Sequence, residues 1–286
     1  DALSSKAAHG GAWGFARVLR LEHAAMRTQS TDVSRVARIA AVRMLAAPTK
    51  EDEAAWRGDR RCAARFRACI ATATRAAALS VGHYVITGGL GGLGLRAAKL
   101  LHDGGATRVL LASRSGRVVR DGQGLDAQLR SMGTIATTVV ACDSADAQDT
   151  AALLTASSLS GILHAAGAGD KGLLIDLMAQ RVQWMYASKA FGAWYLRSGA
   201  NATPQEARIL FSSVGSGLGN VGQASYAAGN ACLDSEALSC RSVGMAACCL
   251  QWPLVGGAGM GAAAFDAVAE KKVRIAGMAG VSLEEY

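Results

Sequence analysis

The stretch Tyr84-Val85-Ile86-Thr87-Gly88-Gly89-Leu90-Gly91-Gly92-Leu93-Gly94 decides the fold. Its first four residues are β-branched or aromatic, which predicts a short buried strand. A glycine-rich turn follows, and residues 93–101 then read as a helix. A strand that passes through such a turn into a helix presents backbone amides and a helix N-terminus to a pyrophosphate. Glycine lets the chain turn tightly and lets a phosphate approach the backbone. The spacing T-G-x-x-x-G-x-G therefore marks Thr87, Gly88, Gly89, Leu90, Gly91, Gly92, Leu93 and Gly94 as a dinucleotide-binding turn.

The alternation continues toward the C-terminus. Residues 108–112, 136–141, 161–164, 208–212 and 246–251 read as strands, and 125–132, 146–155, 179–198 and 225–242 as helices. Strands that alternate with helices predict an α/β, Rossmann-like, doubly wound parallel sheet with helices on both faces.

Toward the N-terminus the pattern changes near Ser80. From Gly11 to Glu22, the residues Trp13, Ala16, Leu19 and Leu21 give a helical apolar stripe. A second helical pattern runs over 33–45 and stops before Pro48, and Glu53 to Phe66 reads as two short strands about Gly58-Asp59. This part carries no group with evident chemistry and reads as a scaffold. The expected division is thus residues 1–80 and residues 81–286. The abrupt start at Asp1 and stop at Tyr286 suggest a piece of a longer chain.

Over 286 residues, 51% are hydrophobic, 18% charged and only 5% aromatic, so a large core is expected and disorder is not. The net charge of +8 comes without aromatic-interleaved basic stripes. That argues against nucleic acid and suits an acidic protein or a phosphorylated cofactor. Cys62, Cys69, Cys142, Cys232, Cys240, Cys248 and Cys249 include no C-x-x-C pair, which argues against a metal site or a disulfide. They are expected to be buried thiols of a reducing, cytoplasmic compartment. No apolar run has membrane-spanning length.

The strand ends supply further candidates. Ser113 and Arg114 stand where a NAD site wants a carboxylate for the ribose 2′-OH. A guanidinium there suits a 2′-phosphate, although a solvated loop arginine explains Arg114 alone equally well. Cys142 and Asp143 end the third strand, with Asp143 set either to bond an adenine edge or to cap the next helix. His164, Ala165, Ala166 and Gly167 end the fourth, the small residues allowing a cofactor against the backbone. His164 itself reads as a packed core histidine.

Taken in order, these motifs resemble the ketoreductase domains of polyketide synthases, in the short-chain dehydrogenase/reductase superfamily. The likeness adds Phe211-Ser212-Ser213-Val214, the run Gly222 to Asn230, Gln251-Trp252-Pro253 and Gly256 to Met260. Trp13 to His23 resembles the end of the family's cofactor-free structural subdomain, which normally has more residues before it. The resemblance implies NADPH as cofactor, with an acyl carrier protein bearing the β-ketoacyl chain and neighbouring synthase domains as partners. It implies a catalytic set of Lys189, Ser213, Tyr226 and Asn230. Tyr226 would protonate the carbonyl oxygen, and Ser213 would hydrogen-bond that oxygen. Lys189 would favour the phenolate and hold the nicotinamide ribose. Asn230 would help hold a water that links Lys189 to solvent. Many relatives outside the synthases place the lysine four residues after the tyrosine, where Asn230 stands here.

Two departures stand out. Gly169-Asp170-Lys171 replaces the Leu-Asp-Asp of relatives with one stereochemical outcome, and Leu218 replaces the tryptophan of the other, so the hydride face stays open. Leu254 replaces the glycine that commonly follows the Trp-Pro pair. The rivals to an active reductase are a fatty acid synthase ketoreductase domain and a catalytically silent scaffold domain.

Overall fold

In a computed structural model of the chain, the described residues are 7–33, 42–43, 45–46, 49–58, 60–65, 81–120, 122–133, 137–155, 158–200, 205–262 and 280–282. Among them, six parallel strands form the main sheet: β4 (His83–Thr87), β5 (Arg108–Ser113), β6 (Thr137–Ala141), β7 (Gly161–His164), β8 (Ala207–Ser213) and β9 (Ala247–Trp252). Their order is β6-β5-β4-β7-β8-β9, so the winding reverses between β4 and β7. In open α/β sheets a ligand lies in the crevice at the carboxyl ends of such a pair.

Alternation along β4 explains the double winding. Tyr84 and Ile86 enter one core with Leu95, Leu111, Leu163 and Phe211. Val85 points the other way, into a core with Leu110, Leu153, Ile162 and Leu196. Ile86, Leu111, Val85 and Ile162 are all fully buried. Each contributes about 1.5–3 kcal/mol relative to exposure. The covering helices are α2 (Gly92–Asp103), α3 (Leu125–Ser131), α4 (Ala147–Thr155), α5 (Ala179–Tyr186), α6 (Gly192–Gly199), α7 (Val214–Leu218) and α8 (Ala224–Ser242).

The N-terminal part holds helix α1 (Ala7–Glu22) and a small sheet. The expected two-strand unit is present as β2 (Glu53–Arg57) and β3 (Arg60–Cys62), antiparallel about Gly58 at φ +64°. A strand that the sequence did not suggest, β1 (Ser30–Val33), pairs parallel to β2. Val33 therefore ends a strand and does not begin a helix; residues 34–41, most of the expected helical pattern, lie outside the described residues. So do residues 66–80, where the expected division falls.

The expected stripe on α1 is corrected as well. Its buried positions are Gly10, Gly11, Gly14 and Val18, whereas Trp13, Ala16 and Leu19 are half-buried and Leu21 is exposed. A Cβ on Gly10 would stand 2.3 Å from the Ala231 carbonyl oxygen, and one on Gly14 2.4 Å from that of Ala227. The helix docks closely on α8 through these glycines, with Val18 packed beside them against Ala224 and Ala227.

The thiols divide. Cys142, Cys232 and Cys240 are buried, Cys249 is half-buried, and Cys62 and Cys248 are exposed, contrary to the expectation that all are interior; Cys69 lies outside the described residues. Cys62 and Cys248 lie on β3 and β9, each the last strand of its sheet. Among the described residues, no helix is long and apolar enough to cross a membrane, and no His, Cys, Asp or Glu group is arranged to hold a metal.

Candidate active site

The glycine turn leaves β4 through Gly88 at φ +67°, a conformation that side chains resist. A Cβ there would also stand 2.6 Å from Ala166 N and 2.7 Å from the Ala165 carbonyl. The two strand ends that flank the switch point thus touch through a glycine. Gly91 caps α2; its N–H donates to Gly88 O at 3.0 Å and its carbonyl accepts from Leu95 N at 2.9 Å. Gly94 must be small because Gly88 O lies 2.4 Å from any Cβ. Gly89 packs near Leu111, and Leu90 is a buried core residue, with Leu93 packed beside that core.

Thr87 and His164 face each other where β4 and β7 end. Both are buried, with Thr87 Oγ1 2.7 Å from His164 Nδ1. His164 Nε2 lies 3.2 Å from Lys189 O. A carbonyl only accepts, so Nε2 carries the proton and Nδ1 accepts from the threonine. Burial, with the Lys189 charge adding to it, pushes the His164 pKa down to about 3, so the ring is neutral. It is a structural link between the glycine-turn strand and Lys189.

The expected single helix over 179–198 is interrupted. Ala187–Phe191 forms a π-turn between α5 and α6, and Lys189 lies within it. Wider turns of this kind mark functional sites in many helices. Lys189 is 4% exposed, and its Nζ donates to Phe211 O at 2.9 Å. Burial pushes its pKa down to about 8. Gly167 makes room for it: a Cβ there would stand 2.5 Å from Lys189 Cε and 2.8 Å from Nζ.

Ser213 ends β8 and caps α7, its Oγ accepting from Gly215 N at 3.1 Å. Tyr226 lies in the first turn of α8, and a Cβ on Gly215 would be 3.5 Å from Ser213 Oγ and 3.9 Å from Tyr226 Cε1. Burial raises the Tyr226 pKa, while hydrogen bonds with the Ser213 and Asn230 side chains partly offset it. Loss of water around the phenol, which disfavours the phenolate, is the largest contribution to this net direction. Asn230 is fully buried, with Nδ2 donating to Tyr226 O at 2.9 Å. Its Oδ1 is buried without a protein partner. A buried acceptor of that kind calls for a donor such as water.

At the end of β5, Ser113 Oγ is also buried without a partner. Arg114 is exposed and lines a cleft of about 450 Å³ with Arg120, Gln123, Gly167, Trp184 and Met260. Arg120, Gln123 and Trp184 were not singled out from sequence; a second arginine in the loop after β5 was the available signal. Cys142 is buried, and burial raises its thiol to about 11. Asp143 Oδ1 accepts from Ala145 N at 3.0 Å, whereas the cap of α4 is Asp146, which accepts from Gln148 N and Asp149 N. Asp143 thus closes the preceding turn.

Asp170 accepts from Ser225 Oγ at 2.7 Å and from Arg181 Nε at 3.0 Å. Burial alone would raise its pKa; these partners outweigh that and hold it below the usual carboxylate range. Lys171 and Leu218 are exposed.

Residues 82–257 match the KR domain family. The chain is 37% identical over 209 residues to the spectinabilin polyketide synthase system protein NorB of Streptomyces orinoci, spanning 71% of this chain and 10% of that protein. It is 33% identical over 270 residues to the pikromycin polyketide synthase component PikAIII of Streptomyces venezuelae, spanning 91% of this chain and 17% of that protein. Both relatives are thus far longer than this chain. Among solved structures, an A-type ketoreductase from a modular polyketide synthase superposes with a TM-score of 0.85 at 31% identity, over 98% of this chain and 60% of that one.

Proposed function

Because the chain belongs to the ketoreductase domains of polyketide synthases, we propose that it reduces the β-keto group of a carrier-bound acyl thioester to the β-hydroxy group. The observation that carries this reading is the meeting of Ser213, Tyr226 and Asn230 at the carboxyl edge of the sheet, beside buried Lys189. NADPH is the cofactor in this reading, and when bound it supplies hydride to the β-carbon. The residues fit such a group in two respects. Gly88 leaves a turn that no side chain could occupy, and Ser113 Oγ is a buried polar atom lacking a partner beside Arg114. Gly88 to Gly94 would hold the pyrophosphate, Ser113 and Arg114 the 2′-phosphate, and Ala165 to Gly167 the face of the dinucleotide.

Tyr226 transfers its phenolic proton to the β-keto oxygen as that oxygen gains charge. Ser213 donates a hydrogen bond to the same oxygen, where negative charge develops. Lys189 keeps positive charge behind the tyrosine, and Asn230 holds the helical turn that carries Tyr226 and a water on Oδ1. The partners in this reading are an acyl carrier protein and neighbouring synthase domains. Residues 1–80 act as the end of the structural subdomain and 81–286 as the catalytic one. Tyr226→Phe removes only the proton donor. It should leave NADPH binding intact and lower turnover of a β-ketoacyl thioester about 10²-fold or more. Turnover near the wild-type rate would remove Tyr226 from the mechanism.

A further inference from the structure

Helix α1 carries no group that the proposed reaction uses, yet its last residue bonds the loop that follows β7 and the loop that precedes α8. Glu22 Oε2 accepts from Leu174 N at 2.7 Å, and Oε1 accepts from Gly222 N at 2.7 Å. Leu174 follows the β7 loop that contributes Gly167 and Gly169 to the cleft, and Gly222 precedes the helix of Tyr226. The two loops also meet directly, with Gly172 N donating to Gly222 O at 2.8 Å. A single carboxylate therefore joins two segments that lie 152 and 200 residues away from it.

The position is not explained by the stability of α1. A carboxylate at a helix C-terminus opposes the helix dipole. Backbone hydrogen bonds to a charged acceptor are about twice as strong as neutral ones, so two of them outweigh that opposition. The rest of α1 is tied to the same region. Arg17 donates to Ser216 O, three residues beyond Ser213, and is itself held by Glu53 at 2.7 Å. Gly219 is at φ +74°, and a Cβ there would stand 3.0 Å from Leu21 Cδ1. The joined loops expose apolar side chains, with Leu173, Ile175 and Val221 47%, 83% and 54% exposed. Such side chains suit the acyl part of a substrate.

We infer that Glu22 is a positioning residue: it fixes the loops around Leu174 and Gly222 relative to Tyr226 and so sets how the acyl chain is seated. This rests on the ketoreductase reading. Glu22→Gln keeps the shape, but its amide nitrogen cannot accept an N–H, so one of the two bonds is lost. With NADPH saturating, KM for a β-ketoacyl N-acetylcysteamine thioester should rise about 10-fold or more while kcat changes less. The enantiomeric ratio of the β-hydroxy products should fall, and NADPH affinity and the melting temperature should hold. Glu22→Asp, one methylene shorter, should behave alike. Hydrogen exchange gives a readout independent of turnover: amides 172–175 and 220–223 should lose about 10-fold protection in Glu22→Gln, with β4 and β7 unchanged. A wild type that does not reduce the thioester defeats the ketoreductase reading alone, and the exchange result then decides whether Glu22 joins the loops. Unchanged protection and unchanged product ratio overturn the inference. So does a variant that fails to fold, or one that loses cofactor affinity and activity in step, since either makes the role global.

Discussion

Gly167→Ala tests the seat of Lys189. A Cβ at 167 would stand 2.5 Å from Lys189 Cε. Carbon atoms rest at about 3.5–4.0 Å, so the end of the lysine must withdraw by about 1 Å. That withdrawal breaks the 2.9 Å hydrogen bond from Nζ to Phe211 O. A displacement of about 1 Å in a catalytic constellation costs about 10²-fold in rate, or about 2.7 kcal/mol in the barrier. Stability should change far less. Gly167 is not at positive φ, so alanine fits its backbone. The reduced freedom of the unfolded chain returns about 0.4–1 kcal/mol. Gly169→Ala is the control, since its Cβ would meet nothing closer than Met260 Sδ at 3.9 Å. The assay is kcat for a β-ketoacyl thioester at saturating NADPH, with cofactor affinity by fluorescence and melting temperature alongside. A kcat within about threefold of wild type for Gly167→Ala would refute the reasoning, because ~10² follows from displacing a needed ammonium.

Gly14→Ala should force α1 away from α8, because the obstructing atom is the Ala227 carbonyl oxygen at 2.4 Å. The expected loss is about 1–3 kcal/mol, or a melting temperature about 2–10 °C lower; an unchanged value by calorimetry would mean that α1 docks otherwise. Arg114→Ala should raise KM for NADPH about 10- to 150-fold and leave NADH kinetics nearly unchanged, and equal weakening of both would make Arg114 structural. His164 gives a pH dependence whose sign follows from its pKa of about 3 when folded against 6.5 for the free side chain. Between those values the unfolded chain binds a proton that the folded chain refuses. Stability present above pH 6.5 is therefore lost as pH falls toward 3. Urea midpoints across that window should show the loss, and His164→Gln should flatten it; equal slopes would assign the acid sensitivity to other groups.

What was legible in the sequence was local. The strand-turn-helix from Tyr84 to Gly94 contains its own logic, since the glycines, the strand and the helix start are neighbours in the chain. The same holds for β7, whose predicted limits Gly161–His164 match the structure. Features made by distant segments were not legible. The face of α1 lies in Gly10, Gly11 and Gly14 beside Val18, and an apolar count assigns nothing to residues without side chains. The π-turn around Lys189 has no composition signal, since alanines and a phenylalanine suit an ordinary helix as well. The pairing of Asp170 with Arg181 and Ser225 joins residues 11 and 55 positions apart, and neither spacing is periodic.

The state of the titratable groups favours one direction for the proposed reaction. A reductase needs its proton donor charged with a proton before hydride arrives. Burial raises the Tyr226 pKa, so the phenol is protonated at neutral pH. His164 cannot compete as donor, since the same burial holds its ring neutral and both its nitrogens are already bonded. The phenolate left behind is the species that needs help, and contact with the Ser213 and Asn230 side chains lowers the Tyr226 pKa against the effect of burial. In the proposed role Lys189 supplies its charge while protonated, which its pKa of about 8 allows through neutral pH. The rate of reduction should therefore hold through neutrality and fall as pH rises past about 8, where the ammonium is lost. Lys189→Arg keeps its charge at every pH in that range and should abolish the fall in whatever activity it retains. An alkaline limb that persists unchanged in Lys189→Arg would move that titration to another group.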